Sequence, residues 1–126
     1  MSPKTKRMIG WILTALISAF MLFSAFMKLK GGPDMAKNLE GSKITMDVMR
    51  NIGIVEVLCV VFWLIPRTGI VGTLLLASYL GGAICMHVTM AEPIWMPALI
   101  CALVWVASAL RFPELTQRLS GSGPNI

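Results

Sequence analysis

Ile52-Gly-Ile-Val-Glu-Val-Leu-Cys-Val-Val-Phe-Trp-Leu-Ile65 places a single carboxylic acid, Glu56, in the middle of an otherwise uncharged apolar run. No solvated protein face accounts for it. If the run lies in a bilayer, Glu56 is a functional-site candidate, because ionisable groups at membrane depth are rare and face a partner, a cavity or a pathway.

The rest of the chain decides whether the run lies in a bilayer. Of 126 residues, 56% are hydrophobic and only 13% charged, with a mean hydropathy of +0.77. That balance is outside the range of a soluble domain. Residues 8–27, 68–91 and 93–110 carry no Asp, Glu, Lys or Arg, and residues 51–66 carry only Glu56. A helix rises about 1.5 Å per residue, so about 20 residues cross a hydrocarbon core roughly 30 Å thick. The expected fold is therefore all-α, an integral membrane four-helix transmembrane bundle of antiparallel, up-and-down topology. Its spans are expected near residues 8–29, 48–65, 69–90 and 94–111. A basic cytoplasmic segment, 1–7, precedes the membrane domain at 8–112, and a flexible tail, 113–126, follows it.

Magnitudes test whether the second span can insert. A central acid costs roughly 3 kcal/mol on an insertion scale, and each Ile, Val, Leu or Phe returns about 0.3–0.6. The aliphatic and aromatic residues between Ile52 and Ile65 roughly offset Glu56. The second span is marginal alone and depends on its neighbours.

The first run follows Lys4, Lys6 and Arg7 as a signal peptide would. Its length exceeds a signal h-region, and Phe23-Ser-Ala-Phe-Met27 puts bulky groups where cleavage needs small ones. It reads as a retained anchor. With four spans, Lys4, Lys6, Arg7, Arg67, Arg111 and Arg118 share one side, against Lys28, Lys30, Lys37, Lys43 and Arg50 on the other. By the positive-inside rule both termini are expected in the cytoplasm. The net charge of +5 is that of a flanked membrane protein, and with no basic-aromatic array it does not point to nucleic acid.

Turn residues divide the spans. Gly31-Gly-Pro33 ends the first, Pro66 the second, Glu92-Pro93 separates the third from the fourth, and Phe112-Pro113 closes the fourth. Thr73, Ala77, Gly81 and Cys85 recur every four residues on the third span, a small-residue stripe expected to admit a neighbouring helix.

Depth counting sorts the ionisable groups. Lys28, Arg50 and His87 reach the outer level, while Glu56 lies about 15 Å from its own helix end, near the midplane. A Lys28–Glu56 pair then requires a shifted or tilted first helix, and Glu56 is expected as an isolated, protonated acid. His87 reads equally as an interfacial hydrogen-bonding residue or a proton acceptor. Lys28 reads as a snorkelling anchor or a site amine. Tyr79, the only tyrosine, lies mid-span and needs a polar partner, whether in packing or in a cavity shared with Glu56. Glu56, His87, Lys28 and Tyr79 are thus the candidates for ligand binding or proton handling. No catalytic residue is assigned. One histidine cannot form a bis-histidine haem within one protomer, and no metal site is expected. Cys59, Cys85 and Cys101 stand singly and read as small packing residues.

Phe23-Ser-Ala-Phe-Met-Lys-Leu29, Gly53-Ile-Val-Glu56, Ile65-Pro-Arg67 and Gly82-Ala-Ile-Cys-Met-His87, in that order, resemble the DoxX-like family. The resemblance runs from about residue 8 to residue 112, and Lys28, Glu56 and His87 are the matching polar positions. Where the family often has Gly ahead of the Lys, this chain has Ala25. The family is similar to DoxX and DoxD, which are associated with thiosulfate:quinone oxidoreductase and respiratory assemblies. The resemblance implies a bacterial cytoplasmic membrane protein, an accessory subunit of a membrane redox system linked to quinone or another small apolar ligand. It transfers no catalytic assignment. Partners expected on this reading are the lipid bilayer, a redox partner subunit and a second copy in a homodimer. A small proton-coupled transporter and a non-catalytic membrane assembly partner are the open alternatives.

Overall fold

The computed structural model describes residues 2–41 and 43–121, and every regular element among them is helical. Helix α1 spans Pro3–Lys30, α2 Pro33–Asn38, α3 Met46–Leu64, α4 Gly69–Thr89, α5 Trp95–Arg111 and α6 Pro113–Leu119. A 3-10 turn, Pro66–Thr68, joins α3 to α4.

Local chemistry sets these boundaries. The Thr5 amide donates to Ser2 Oγ at 3.2 Å, and Pro3 occupies the first turn of α1, where its missing N–H costs nothing. Lys4, Lys6 and Arg7 therefore belong to α1 itself, where a separate basic segment was expected. Gly31 ends α1 with φ +67°, donating its amide to the Met27 carbonyl. Thr45 caps α3 by accepting from the Val48 amide at 3.2 Å. Pro66 stops α3, and the Thr68 hydroxyl donates to the Phe62 carbonyl at 2.8 Å, satisfying an acceptor the helix end leaves free. Short helix α6 occupies the first part of the segment expected as a flexible tail, and residues 122–126 lie outside the described residues.

Two helices are long and apolar enough to cross a membrane unaided, α1 and the stretch Pro66–Thr89. A third crossing exists only if α5 and α6, bent by 113°, are taken together. Helix α3 carries Asp47, Arg50 and Glu56 within 19 residues, so its own composition does not make it a span. Of the four expected spans, composition and helix length support two, or three with the bent pair.

Helix α1 packs against α3 and α5, and α4 packs against the same two. The apolar core is Ile17 and Met21 of α1, Cys59, Val60 and Trp63 of α3, Leu76 and Leu80 of α4, and Ile100, Val104 and Ala107 of α5. The outward faces are apolar as well. Leu16, Phe23, Leu58, Leu74 and Val88 are each more than half exposed, which suits helices whose outer surface meets lipid rather than water.

A directed chain of hydrogen bonds ties three helices together. The Trp63 indole N–H can only donate and the Gly69 carbonyl can only accept. The order is therefore Trp63 Nε1 to Ser108 Oγ (2.9 Å), Ser108 to Thr73 Oγ1 (2.8 Å), and Thr73 to the Gly69 carbonyl (2.8 Å). Where water is scarce, each of these groups needs its partner inside the protein.

The small-residue stripe of α4 does not pack as expected. Thr73 is buried, but Gly81 and Cys85 are exposed, and a Cβ on Gly81 would meet nothing within 4 Å. The close approach lies about two and a half turns earlier and on another face, where a Cβ on Gly72 would run into the backbone of Phe62 and Trp63. The short Pro66–Thr68 connection is what presses the start of α4 onto the end of α3. Between α1 and α3 the glycine is on the α3 side: a Cβ on Gly53 would stand 3.2 Å from the Ala25 carbonyl oxygen, so fully buried Ala25 is accommodated.

These two glycines of one helix should behave oppositely. Gly72→Ala is expected to destabilise the protein by about 1–3 kcal/mol through overpacking. Gly81→Ala should be neutral or stabilising by up to about 1 kcal/mol, since alanine is the better helix former and has room. Unfolding in detergent micelles monitored by circular dichroism distinguishes the two, and equal effects would contradict the packing described.

Candidate functional site

Helix geometry brings Lys28 to Glu56. Gly31, at the end of α1, lies against the Met46 side chain at the start of α3, and Lys28 Cβ lies against Gly53. Every Cα–Cβ bond leans toward its own helix N-terminus. Lys28 therefore leans back along α1, while Glu56 leans back along α3 toward Gly53 and Met46. The two side chains converge. Lys28 Nζ lies 2.9 Å from Glu56 Oε1, with the lysine side chain 19% and the glutamate 3% exposed. The same ammonium donates to Ser24 Oγ at 2.8 Å, one turn back on α1.

This corrects the depth argument on two counts. Counting rise along each helix treated the side chains as points at their Cα, and so separated groups whose heads meet. Glu56 is also not an isolated acid. With an ammonium at hydrogen-bond distance, it is one half of an ion pair.

The other outer-level residues divide. Arg50 stays on the surface, 3.9 Å from Asp47, with both side chains well exposed. His87 comes to the site. Its Nδ1 is 2.9 Å from the Pro93 carbonyl oxygen and 3.7 Å from Glu92 Oε2. A carbonyl can only accept, so Nδ1 carries the proton, and in the neutral ring Nε2 is left as an acceptor. Tyr79 places its ring centroid 5.9 Å from Lys28 Nζ and lies close enough to couple electrostatically with Glu56.

All four residues border one cavity. It has a volume of about 250 Å³, with Lys28, Glu56, Tyr79 and His87 on its walls and Phe20, Met21, Leu80, Met96 and Ile100 supplying the apolar surface. Helices α1, α3, α4 and α5 each contribute to it. A neighbouring cavity of about 330 Å³ shares Lys28, Tyr79, Ala83 and His87 and adds Ser78, Gly82 and Met86. A Cβ on Gly82 would meet nothing within 4 Å, so that wall is open. Together the two cavities offer a cation, a carboxylate, a phenol and an imidazole facing apolar space. That combination suits a small apolar molecule bearing carbonyl or hydroxyl groups. Among the described residues no three His, Cys, Asp or Glu side chains converge on a common point, and Cys59, Cys85 and Cys101 are free thiols.

Sequence reasoning passed over two features. Ser24 sits four residues before Lys28, the spacing at which helix side chains meet, and that signal was available. Arg111, counted as a flanking base, is only 5% exposed. Its guanidinium donates to the Trp63 carbonyl at 2.9 Å and to Thr14 Oγ1 at 3.3 Å, and stacks 3.9 Å from the Trp11 ring centroid. It belongs to the opposite end of the helices from the cavity.

The ion pair makes a specific energetic demand. Removing one member leaves the other buried and uncompensated, at a cost of about 3–5 kcal/mol, while replacing both with apolar groups of similar volume is often close to neutral. Lys28→Met is expected to be strongly destabilising and Glu56→Gln less so, because the amide oxygen still accepts from Lys28. The double variant Lys28→Met/Glu56→Leu should recover most of the loss. A double-mutant cycle in detergent unfolding measures this, and strictly additive effects would rule out the pair.

The family model described as the DoxX-like family matches residues 12–107, a stretch that includes Lys28, Glu56, Tyr79 and His87. No curated protein and no solved structure shows a significant match.

Proposed function

The chain belongs to the DoxX-like family, and on that premise we propose that it is a four-span, antiparallel up-and-down membrane bundle whose central cavity binds a small apolar ligand with a polar head, such as a quinone. In this reading it serves as an accessory subunit of a membrane redox system in the bacterial cytoplasmic membrane, with both termini in the cytoplasm. Helix α3 becomes a span because Glu56 enters the membrane together with Lys28, and a paired charge costs less than a lone one. Helix α5, at 17 residues, crosses about 25 Å of the core at 1.5 Å per residue and completes the crossing at the bend into α6.

One observation carries the ligand assignment: Lys28, Glu56, Tyr79 and His87, from three helices, border a single cavity with apolar walls. A quinone carbonyl needs donors, and the Lys28 ammonium, Tyr79 hydroxyl and a protonated His87 are the donors present. A quinol hydroxyl needs an acceptor, which Glu56 or the Nε2 of neutral His87 supplies. The Nδ1–Pro93 bond and the nearby Glu92 carboxylate place His87 between the cavity and the exposed α4–α5 turn. His87 is therefore the group through which a proton would leave or enter.

Titration of the purified protein in nanodiscs with a short-chain ubiquinone tests this. Glu56→Gln and His87→Ala are each expected to weaken binding at least about tenfold, equivalent to about 1.4 kcal/mol. Ala83→Leu should abolish binding by filling the space that both cavities share while leaving the four polar side chains in place. Unchanged affinity in folded Glu56→Gln and His87→Ala proteins, with the fold checked by circular dichroism, would remove the proposal.

A further inference from the structure

At the end of the molecule away from the ion pair lies a third cavity, of about 220 Å³, whose chemistry is different. It sits where the first turns of α1 meet the α5–α6 elbow, and Lys6, Arg7, Arg111, Leu110, Thr116 and Gln117 line it. Three of its walls are cationic and none is acidic. Among the described residues none of the three cations has a carboxylate partner at ion-pair distance. Arg111 is fixed in the wall by Trp63, Thr14 and Trp11, and its buried Nε has no hydrogen-bond partner. Lys6 and Arg7 are exposed and free to close on a ligand.

The position of the cavity selects the ligand. The 113° bend turns α6 across the direction of α5, the attitude of a helix lying at a membrane surface beside a span. The cavity is then at headgroup height. Below its Leu110 wall, Val106 and Leu99 follow on the same face of α5, four and eleven residues back and each 47% exposed, as an apolar track. A positive pocket at the surface above an apolar track matches the two halves of a phospholipid. We propose that this cavity binds the phosphate of an anionic phospholipid headgroup, with Lys6 and Arg7 as its direct ligands, Arg111 supplying fixed positive potential, and an acyl chain lying along Val106 and Leu99. Basic pockets at the cytoplasmic ends of membrane helices commonly serve this purpose.

Native mass spectrometry of detergent-purified protein with added phosphatidylglycerol, phosphatidylcholine or inorganic phosphate tests the assignment. One phosphatidylglycerol is expected to be retained per protein in preference to phosphatidylcholine. Lys6→Gln/Arg7→Gln should weaken its retention at least tenfold. The charge-matched control Lys37→Gln/Lys43→Gln, in the α1–α3 connection, should retain it as the unsubstituted protein does. Because Lys6 and Arg7 are exposed, both double variants are expected to fold, and circular dichroism confirms it. Equal loss in the two double variants would reduce the effect to overall charge and overturn the site. Equal retention of phosphatidylcholine, or competition by inorganic phosphate at the same concentration as the lipid, would overturn the lipid assignment.

Discussion

An ammonium and a carboxylate 2.9 Å apart, with the carboxylate almost fully buried among apolar helices, constrain the architecture more than any hydrophobic contact does. Apolar side chains on membrane helices gain little by meeting one another, because lipid tails are as apolar as they are. A buried Glu56 without Lys28 would cost several kcal/mol, and that penalty selects arrangements in which α1 lies against α3 with Lys28 at this level. The glycine at position 53 is the other half of the same constraint. A Cβ there would press on Lys28 Cβ and the Ala25 carbonyl, at the point where the α1 backbone comes near enough for Lys28 to fold back onto Glu56. Ser24 Oγ accepts a second hydrogen bond from the ammonium, so the lysine is held from both its own helix and its neighbour.

The ion pair also explains why a cavity can exist beside it. Helices that meet only through apolar contacts can slide or rotate until voids close, whereas a hydrogen-bonded pair resists both. The Trp63–Ser108–Thr73–Gly69 relay holds α3, α4 and α5 in the same way nearer the other end. Beside the ion pair, Gly82 with no side chain and Ala83 with only a methyl leave open the space that Tyr79 and His87 border. Polar registration at two heights, with small residues beside the ion pair, leaves a lined hole rather than a collapsed core.

Much of this was legible in the sequence. Four apolar runs, three without a charge and one carrying only Glu56, broken at Gly31-Gly-Pro33, Pro66, Glu92-Pro93 and Phe112-Pro113, marked the long helices, because apolar length and helix-breaking residues are local properties. Glu56 announced itself by its surroundings. Side-chain direction was not legible from depth counting, which is why Lys28 and Glu56 were placed apart when their heads meet. The α4 stripe misled for a related reason. Small residues at a spacing of four permit close packing, but which face packs is decided by the connection to α3, and that connection puts Gly72, not Gly81, against Trp63. Arg111 was indistinguishable from an ordinary flanking base, since its burial depends on Trp11 and Trp63, far away in the chain.

Arg111 shows how a cation can be buried without an acid. It lies at the last residue of α5, and its guanidinium donates to Trp63 at the last turn of α3. The final carbonyls of a helix have no intrahelical partners and carry the negative end of its dipole. Arg111 thus faces the partial negative charge at the end of α3, with the face of Trp11 at 3.9 Å and Phe112 at 4.7 Å adding ring quadrupoles. These are fixed partial charges, and they stabilise the guanidinium without cancelling its formal charge. At the Lys28 end the positive charge is matched by Glu56 and the pair is neutral overall. At the Arg111 end, Lys6 and Arg7 add to a charge already present. The two ends are therefore suited to different ligands: a neutral polar head in the cavity beside the ion pair, and an anion at the α5–α6 elbow.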